Sequence, residues 1–397
     1  MRYWKLILIP AMVFVIMGTY YIQSAIAGSG KPEFILQENG GDSELAEDLL
    51  LRGHFVAQRN VAHMDNLQIT AEGTLYSEEL PSYNQRAFYT DPYIANLQNE
   101  HRNFMRGKVE DANQYYESSS MLVHATTDNP ANFTIGKIEL SIEVMQKDSG
   151  ETSGLTIDIP ENYVYMYVED VRVTNGELKV ATQNHIEGPS EYHVYTIDIG
   201  QEKLVEDTLI GMETEEQSET ENIDSLTMLH GPSDYLVFQQ TKRMEVPQEN
   251  GEIHIEPSGT EFITYNLKTG EQAKLEVPDS LQGNIQDTSV IGSNVYFLAE
   301  AESGTELVAL EIDTGEIAFQ TPVELPVAGE EMRSHMMRVT EDHIYLATPY
   351  HNKANQAAIL AIDAATGELV YEGTIATEQN QEELPDYTVE FYQMAIQ

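Results

Sequence analysis

From about residue 120 to the C-terminus, apolar and polar side chains alternate with period two in short runs rich in Val, Ile, Tyr and Phe. The clearest are Tyr163 to Val168, Leu178 to Ala181, Tyr192 to Ile197, Tyr235 to Gln239, Val295 to Ala299 and Ile344 to Ala347. Gly, Asn, Asp, Ser and Pro clusters separate them, and such short, β-branched, punctuated runs predict strands rather than helices. One segment breaks the pattern. Ile94, Leu97, His101 and Phe104 recur at helical spacing behind Asp91 as N-cap and Pro92 at the first helical position, with Gly107 as the stop. This predicts one short helix near 91–107.

The strand runs repeat as units. Asp287 to Leu298, His335 to Leu346, Val171 to Val180 and Leu226 to Phe238 each read as strand, turn, strand. A second hairpin follows each, in the forms Ile263 to Glu271, Leu310 to Glu316, Ala361 to Glu368 and, without the Thr, Tyr195 to Glu202. The candidate turn residues are Asp198 and Gly200, Thr269 and Gly270, Asp313, Thr314 and Gly315, and Asp363, Thr366 and Gly367. Glycine there supplies a positive φ, and Asp and Thr side chains bond the backbone around the bend. These glycines are 70, 45 and 52 residues apart, and the two shorter intervals fit four-stranded blades. The longest contains the acidic run 213–221, a natural surface insertion.

Ala361-x-Asp363-x-x-Thr366-Gly367-x-x-x-Tyr371 resembles the repeat of pyrroloquinoline-quinone-like propellers, with Tyr where that family has Trp, and Asp313-Thr314-Gly315 to Phe319 is a shortened copy. The resemblance covers a little over half the chain. It implies an all-β, WD40-like propeller of six or seven four-stranded blades, clear over about 161–380 and divergent over about 60–160. Tyr387 to Ile396 then serves as a closing strand that removes sheet edges. The structural rival is a two-domain chain with an α/β part before about 115. The family's quinone-dependent dehydrogenase activity does not fit: Trp4 is the sole tryptophan and cysteine is absent. The resemblance also implies kinship with scaffold subunits that bind other envelope proteins.

Residues 1–27 are an export segment. Arg2 and Lys5 precede an apolar stretch from Leu6 to Met17, and Ala25-Ile26-Ala27 matches a signal-peptidase site, with Ala25 and Ala27 the small residues at cleavage. An uncleaved anchor, with Tyr20 and Tyr21 at the membrane interface, fits equally. Either places the rest outside the cytoplasm, secreted or held at the outer face of the membrane, with membrane contact through 1–27 alone. Residues 28–50 read as a Gly-rich acidic linker, and 51–397 as the propeller.

The chain carries 21 basic and 66 acidic side chains, a formal charge of −45. Such a surface repels phosphate backbones, so nucleic acid is excluded as a partner. Against that background Arg102, Arg106 and Lys108 form a local basic cluster. Pairing with neighbouring carboxylates is one reading of it, and docking of an anionic partner the other. The eleven histidines form no metal or protease motif, and no nucleophile elbow, phosphate loop, sialidase Asp-box or EF-hand is present. No catalytic residue and no cofactor is expected, with loose calcium binding by acidic loops left open. The 22 tyrosines suit propeller blades, a carbohydrate-stacking platform being the lesser reading. The favoured function is therefore a non-catalytic binding, scaffold or accessory protein of the cell envelope, partnered by another envelope or membrane protein. The alternative is a hydrolase or lyase acting on an extracellular polysaccharide through carboxylates of the central channel.

Overall fold

The computed structural model describes residues 31–57, 64–81, 84–130, 134–186, 190–211, 219–226, 233–247, 253–278, 280–281, 285–301, 304–325, 335–379, 384 and 386–396. The segment 1–27 expected to direct export, with Ala25 and Ala27, and most of the acidic run 213–221 lie outside them. No helix among the described residues is long and apolar enough to cross a membrane.

The fold is all-β and propeller-like. Its six antiparallel sheets, four of four strands and two of five, follow one another along the chain. Blade 1 comprises Tyr115–Glu117, Met121–Thr127, Gly136–Gln146 and Thr152–Tyr163. Blade 2 comprises Tyr165–Thr174, Glu177–His185, Glu191–Asp198 and Lys203–Ile210. Blade 3 is built from Glu219–Ser225, Tyr235–Pro247, Ile253–Asn266 and Gln272–Leu275, and blade 4 from Ile285–Ile291, Asn294–Ala301, Gly304–Glu311 and Ile317–Val323. Blade 5 holds Met336–Val339, His343–Ala347, Ala358–Asp363 and Leu369–Thr377, with Phe34–Gly41 added outside. Blade 6 joins the two ends of the chain: Tyr387–Ile396 pairs with Leu49–Ala57, followed by Met64–Thr70 and Gly73–Tyr76. Tyr350–Asn352 lies on its other edge.

Both faces of a middle blade must be apolar, and its middle strands meet this with runs buried at consecutive positions, as in Tyr192 to Ile197 and Val295 to Ala299. Separate buried clusters join blade 1 to 2, 2 to 3, 3 to 4, 4 to 5 and 5 to 6. The first strand of each blade forms the inner edge: Tyr165–Thr174 touches Tyr115–Glu117, and Met336–Val339 touches both Ile285–Ile291 and Tyr387–Ile396.

Three turns have the geometry their residues suggest. Gly270, Gly315 and Gly367 have φ of 75°, 69° and 75°, and each N–H donates to the carbonyl four residues earlier. Asp363 Oδ1 accepts from the backbone N–H groups of Ala365 and Thr366 and from the Thr366 hydroxyl, at 2.8 to 3.1 Å. Near Thr269 that part falls to Asn266, whose Oδ1 accepts from Lys268 and Thr269 N–H.

Four expectations need correction. Gly200 is not left-handed; Glu202 is, with φ 52°. The loop between Asp198 and Lys203 has four residues where the other three have five, so the reversal falls on its last residue. Asp198 still accepts from Gln201 N–H. Asp313 does not brace its own turn: Thr314 bonds Glu311 at 2.8 Å, while Asp313 accepts the Tyr235 hydroxyl from the neighbouring blade. Nor is 28–50 a linker throughout, since Phe34–Gly41 pairs along Leu369–Thr377. The stretch 60–160 likewise holds one complete blade rather than two. The remainder is the outer half of blade 6 and three helices: α1 (Gln85–Tyr89), α2 (Pro92–Glu100) and α3 (Arg102–Met105).

Candidate functional site

The helices occupy the sector between blade 6 and blade 1. Asp91 caps α2 by accepting from Tyr93 N–H at 2.9 Å. His101, at φ −122° and ψ 44°, breaks the predicted helix into α2 and α3. Ile94, Leu97, Phe104 and Met105 bury against Leu122 and Met145 of blade 1. Toward blade 6 the contact is polar. Arg52 donates to the Thr90 carbonyl and to Gln393 Oε1, both at 3.1 Å, and its guanidinium lies 6.0 Å from the Phe88 ring.

An open cleft of about 730 Å³ lies along this insert, lined by Arg86, Arg102, Arg106 and Lys108 with Gln98 and Glu110 among the rest. Four cations face one carboxylate, in a chain of net charge −45. Glu110 is already engaged by Arg86 at 2.8 Å and by Gln98 at 3.0 Å. Arg102 and Arg106 are exposed and make no ion pair among the described residues. Lys108 differs from the expectation of a free docking cation. Its side chain is 9% exposed, its ammonium pairs with Glu143 at 3.0 Å and sits 4.1 Å above the Phe104 ring. Its hydrophobic stem is what the insert buries, so Lys108 braces the cleft while the two arginines present charge. Arg86 was missed because it lies sixteen residues before Arg102 in the sequence, and its place depends on how α1 folds back.

Three carboxylates lie on inner first strands, Glu169 and Asp170 on Tyr165–Thr174 and Asp287 on Ile285–Ile291. Asp170 is half-buried, and the loss of solvent raises its pKa despite the Arg172 guanidinium held at 3.0 and 3.1 Å. Burial likewise raises Asp287, whose carboxylate accepts from Thr288 and Met337 N–H. Glu169 is raised by burial and then by the fields of Asp111 and Asp170. Glu100, His101 and Glu117 bring ligand atoms within 4.8 Å of one another. Lys147 already pairs with Glu117 at 2.5 Å, and one imidazole with two carboxylates is a poor calcium set.

No family model matches the chain, and no curated protein matches it either. Among solved structures it is similar to an ulvan lyase of polysaccharide lyase family PL25, at 12% identity and TM-score 0.37, covering 91% of this chain and 95% of that one. It is similar to polysaccharide lyase Uly1 at 10% identity and TM-score 0.35, covering 69% of this chain and spanning 61% of the lyase's length. A putative 6-phosphogluconolactonase from Bacteroides fragilis gives 13% identity and TM-score 0.28, covering 84% of this chain and 95% of that one. At such identities and scores these likenesses assign no residue a role. The quinone-like kinship therefore rests on the turn motif alone, whereas the propeller-like arrangement stands on the strand pairing itself.

Proposed function

We propose that this chain is an extracytoplasmic, non-catalytic binding propeller that recognises an anionic ligand in the cleft between blades 6 and 1. The observation that carries the reading is the pair of exposed guanidinium groups, Arg102 and Arg106, that make no ion pair among the described residues of a protein with three acids for every base. In such a surround a free arginine would ordinarily find a carboxylate, because the ionised pair is short and charge-assisted. Two that do not, four residues apart in the lining of an open cleft, are placed for a ligand's oxyanions. The rest of the molecule repels that ligand at long range, which restricts binding to this sector. Residues 1–27 would hold the propeller at the membrane or release it, and the Asp363-Thr366-Gly367 turn supports descent from quinone-like scaffold propellers.

The test is calorimetry of the full chain with two polyanions, polygalacturonate and poly-L-glutamate. Arg102→Glu and Arg106→Glu should each weaken binding about tenfold or more, since each reverses a charge at contact distance. Unchanged affinity with both substitutions combined would refute the reading. A second reading, hydrolysis or lysis of a polysaccharide in the channel, is favoured by the raised pKa of Glu169. Turnover of polygalacturonate lost in Glu169→Gln, with the melting temperature kept, would support it instead.

A further inference from the structure

The cations of the cleft adjoin two half-open aromatic rings. α1 sets Arg86 and Tyr89 three residues apart, on one side of its single turn. Tyr89 is 52% exposed, and its hydroxyl accepts from Asn66 Nδ2 at 3.0 Å, which holds the ring against blade 6. There Tyr392, 45% exposed, packs on His54 with ring centroids 4.7 Å apart and planes at 34°. Gln393, the next residue, accepts from Arg52 at 3.1 Å. Arg52 ties that strand to Thr90, the residue after Tyr89 and itself part of the cleft lining. Tyr89 lies between Arg86 and Thr90 of the cleft lining, and Arg52 bridges Thr90 to Gln393 beside Tyr392, so the aromatic wall borders the cleft that holds the guanidinium groups.

Each half of this surface matches a different part of one ligand class. A tyrosine ring offers an apolar face with a polar tip, suited to the C–H face of a pyranose. A guanidinium offers a fork of donors that matches a carboxylate or sulfate. An acidic peptide would use the arginines but has no flat, repeating C–H face for Tyr89 and Tyr392. Resting on the reading above, we propose that the cleft binds an acidic glycan, with a sugar ring over the Tyr89–Tyr392 wall and its anionic group at Arg86, Arg102 or Arg106.

The two polymers of the binding test separate the parts of this inference. Polygalacturonate carries sugar rings and poly-L-glutamate of equal charge carries none. Polygalacturonate should bind about tenfold tighter, and Tyr89→Ala and Tyr392→Ala should each cost it about five- to twentyfold while changing poly-L-glutamate less than about twofold. Tyr392→Phe, which keeps the ring, should retain polygalacturonate binding, so a folding defect in the alanine variant does not hide the answer. Equal affinity for the two polymers with neutral tyrosine variants would overturn the glycan and leave an anion cleft. Tighter binding of poly-L-glutamate would assign an acidic polypeptide instead. If neither polymer binds, the anion cleft and the glycan fall together.

Discussion

Residues 34–41 look like the end of an acidic tether by composition, but the structure makes them part of the propeller, and Phe34→Ala tests that. The Phe34 side chain is fully buried between blades 5 and 6. It meets His351 edge-on at 5.2 Å and 88°, Tyr387 at 5.5 Å and 66°, and Phe55 at 6.4 Å and 57°. Its backbone is clasped by one side chain: Phe34 N–H donates to Thr74 Oγ1, and that hydroxyl donates to the Phe34 carbonyl, both at 2.7 Å. The clasp prevents the strand from sliding to fill the space that the ring leaves. Truncating a buried Phe costs about 3–5 kcal/mol, with the loss of edge-to-face partners and incomplete collapse pushing toward the upper end. We expect about 4 kcal/mol from urea unfolding followed by far-ultraviolet circular dichroism, read as a lower midpoint at unchanged slope. Glu38→Ala, on an exposed position of the same strand, should stay within about 0.5 kcal/mol. A Phe34→Ala loss below about 1 kcal/mol would mean that 34–41 is indeed a tether resting on the surface.

Two further outcomes follow from named side chains. Burial lowers His124 and His351 from 6.5 to about 4, so below pH 6.5 the unfolded chain takes protons that the native one refuses, costing about 2 kcal/mol per histidine by pH 5. His193 works in the other direction. Its burial disfavours charge, but the hydrogen bond and field of Asp207 at 2.7 Å, helped by Glu191, raise its pKa. The stability it adds is full below pH 6.5 and fades as pH climbs through the raised value. Urea midpoints from pH 4.5 to 8.5 should fall at both ends, with His351→Gln flattening the acid side and His193→Gln the alkaline side; unchanged profiles would show these rings to be solvated. Gly41, at φ 94°, has no room for a side chain because a Cβ would overlap the Val370 carbonyl oxygen, whereas Gly315 at φ 69° faces open space. Gly315→Ala should cost about 1 kcal/mol and Gly41→Ala more than about 2, compared by thermal melting, and equal costs would contradict the close strand approach.

The parts of this fold that are local in sequence were legible, and those that depend on chain ends meeting were not. Hairpins such as Asn175-Gly176, with φ of 55° and 83°, carry their turn chemistry in two residues. The short β-branched and aromatic runs Val194 to Ile197 and Val295 to Leu298 need no distant partner to be read as strands. Phe34–Gly41, by contrast, is a strand whose middle is Gln37-Glu38-Asn39-Gly40. Its place comes from pairing with Leu369–Thr377 more than three hundred residues away. The site divides the same way. Arg102 and Arg106 stood out as cations in an acidic chain. Arg86 and Tyr89 on α1 and Tyr392 on the closing strand come from segments about three hundred residues apart, and Lys108 lost its apparent freedom to Glu143, which no local pattern announces.

Why a cleft exists at this one sector can be argued from blade 6 itself. Along Leu49–Ala57 the odd residues Leu49, Leu51 and Phe55 face blade 5, together with Leu67 and Ile69 of the next strand. On the even positions Leu50 is buried, but Arg52 and His54 follow it, paired in register with Gln68 and Asn66. A sheet with one apolar and one largely polar face can terminate a series of face-packed sheets but cannot continue it. Blade 1 still presents Leu122 and Met145 outward, and these need cover. The chain meets the mismatch with helices in place of another sheet: α2 and α3 give blade 1 an apolar stripe, and blade 6 receives hydrogen-bonding groups such as the Thr90 carbonyl and the Asp91 carboxylate. Short helices do not fill a blade-sized wedge as a four-stranded sheet would, so the sector stays partly open, and the positions around the opening are free of packing constraint. Arginines 86, 102 and 106 and tyrosines 89 and 392 occupy those positions, which makes the cleft a consequence of alternation along 49–69 rather than a feature added to a complete ring.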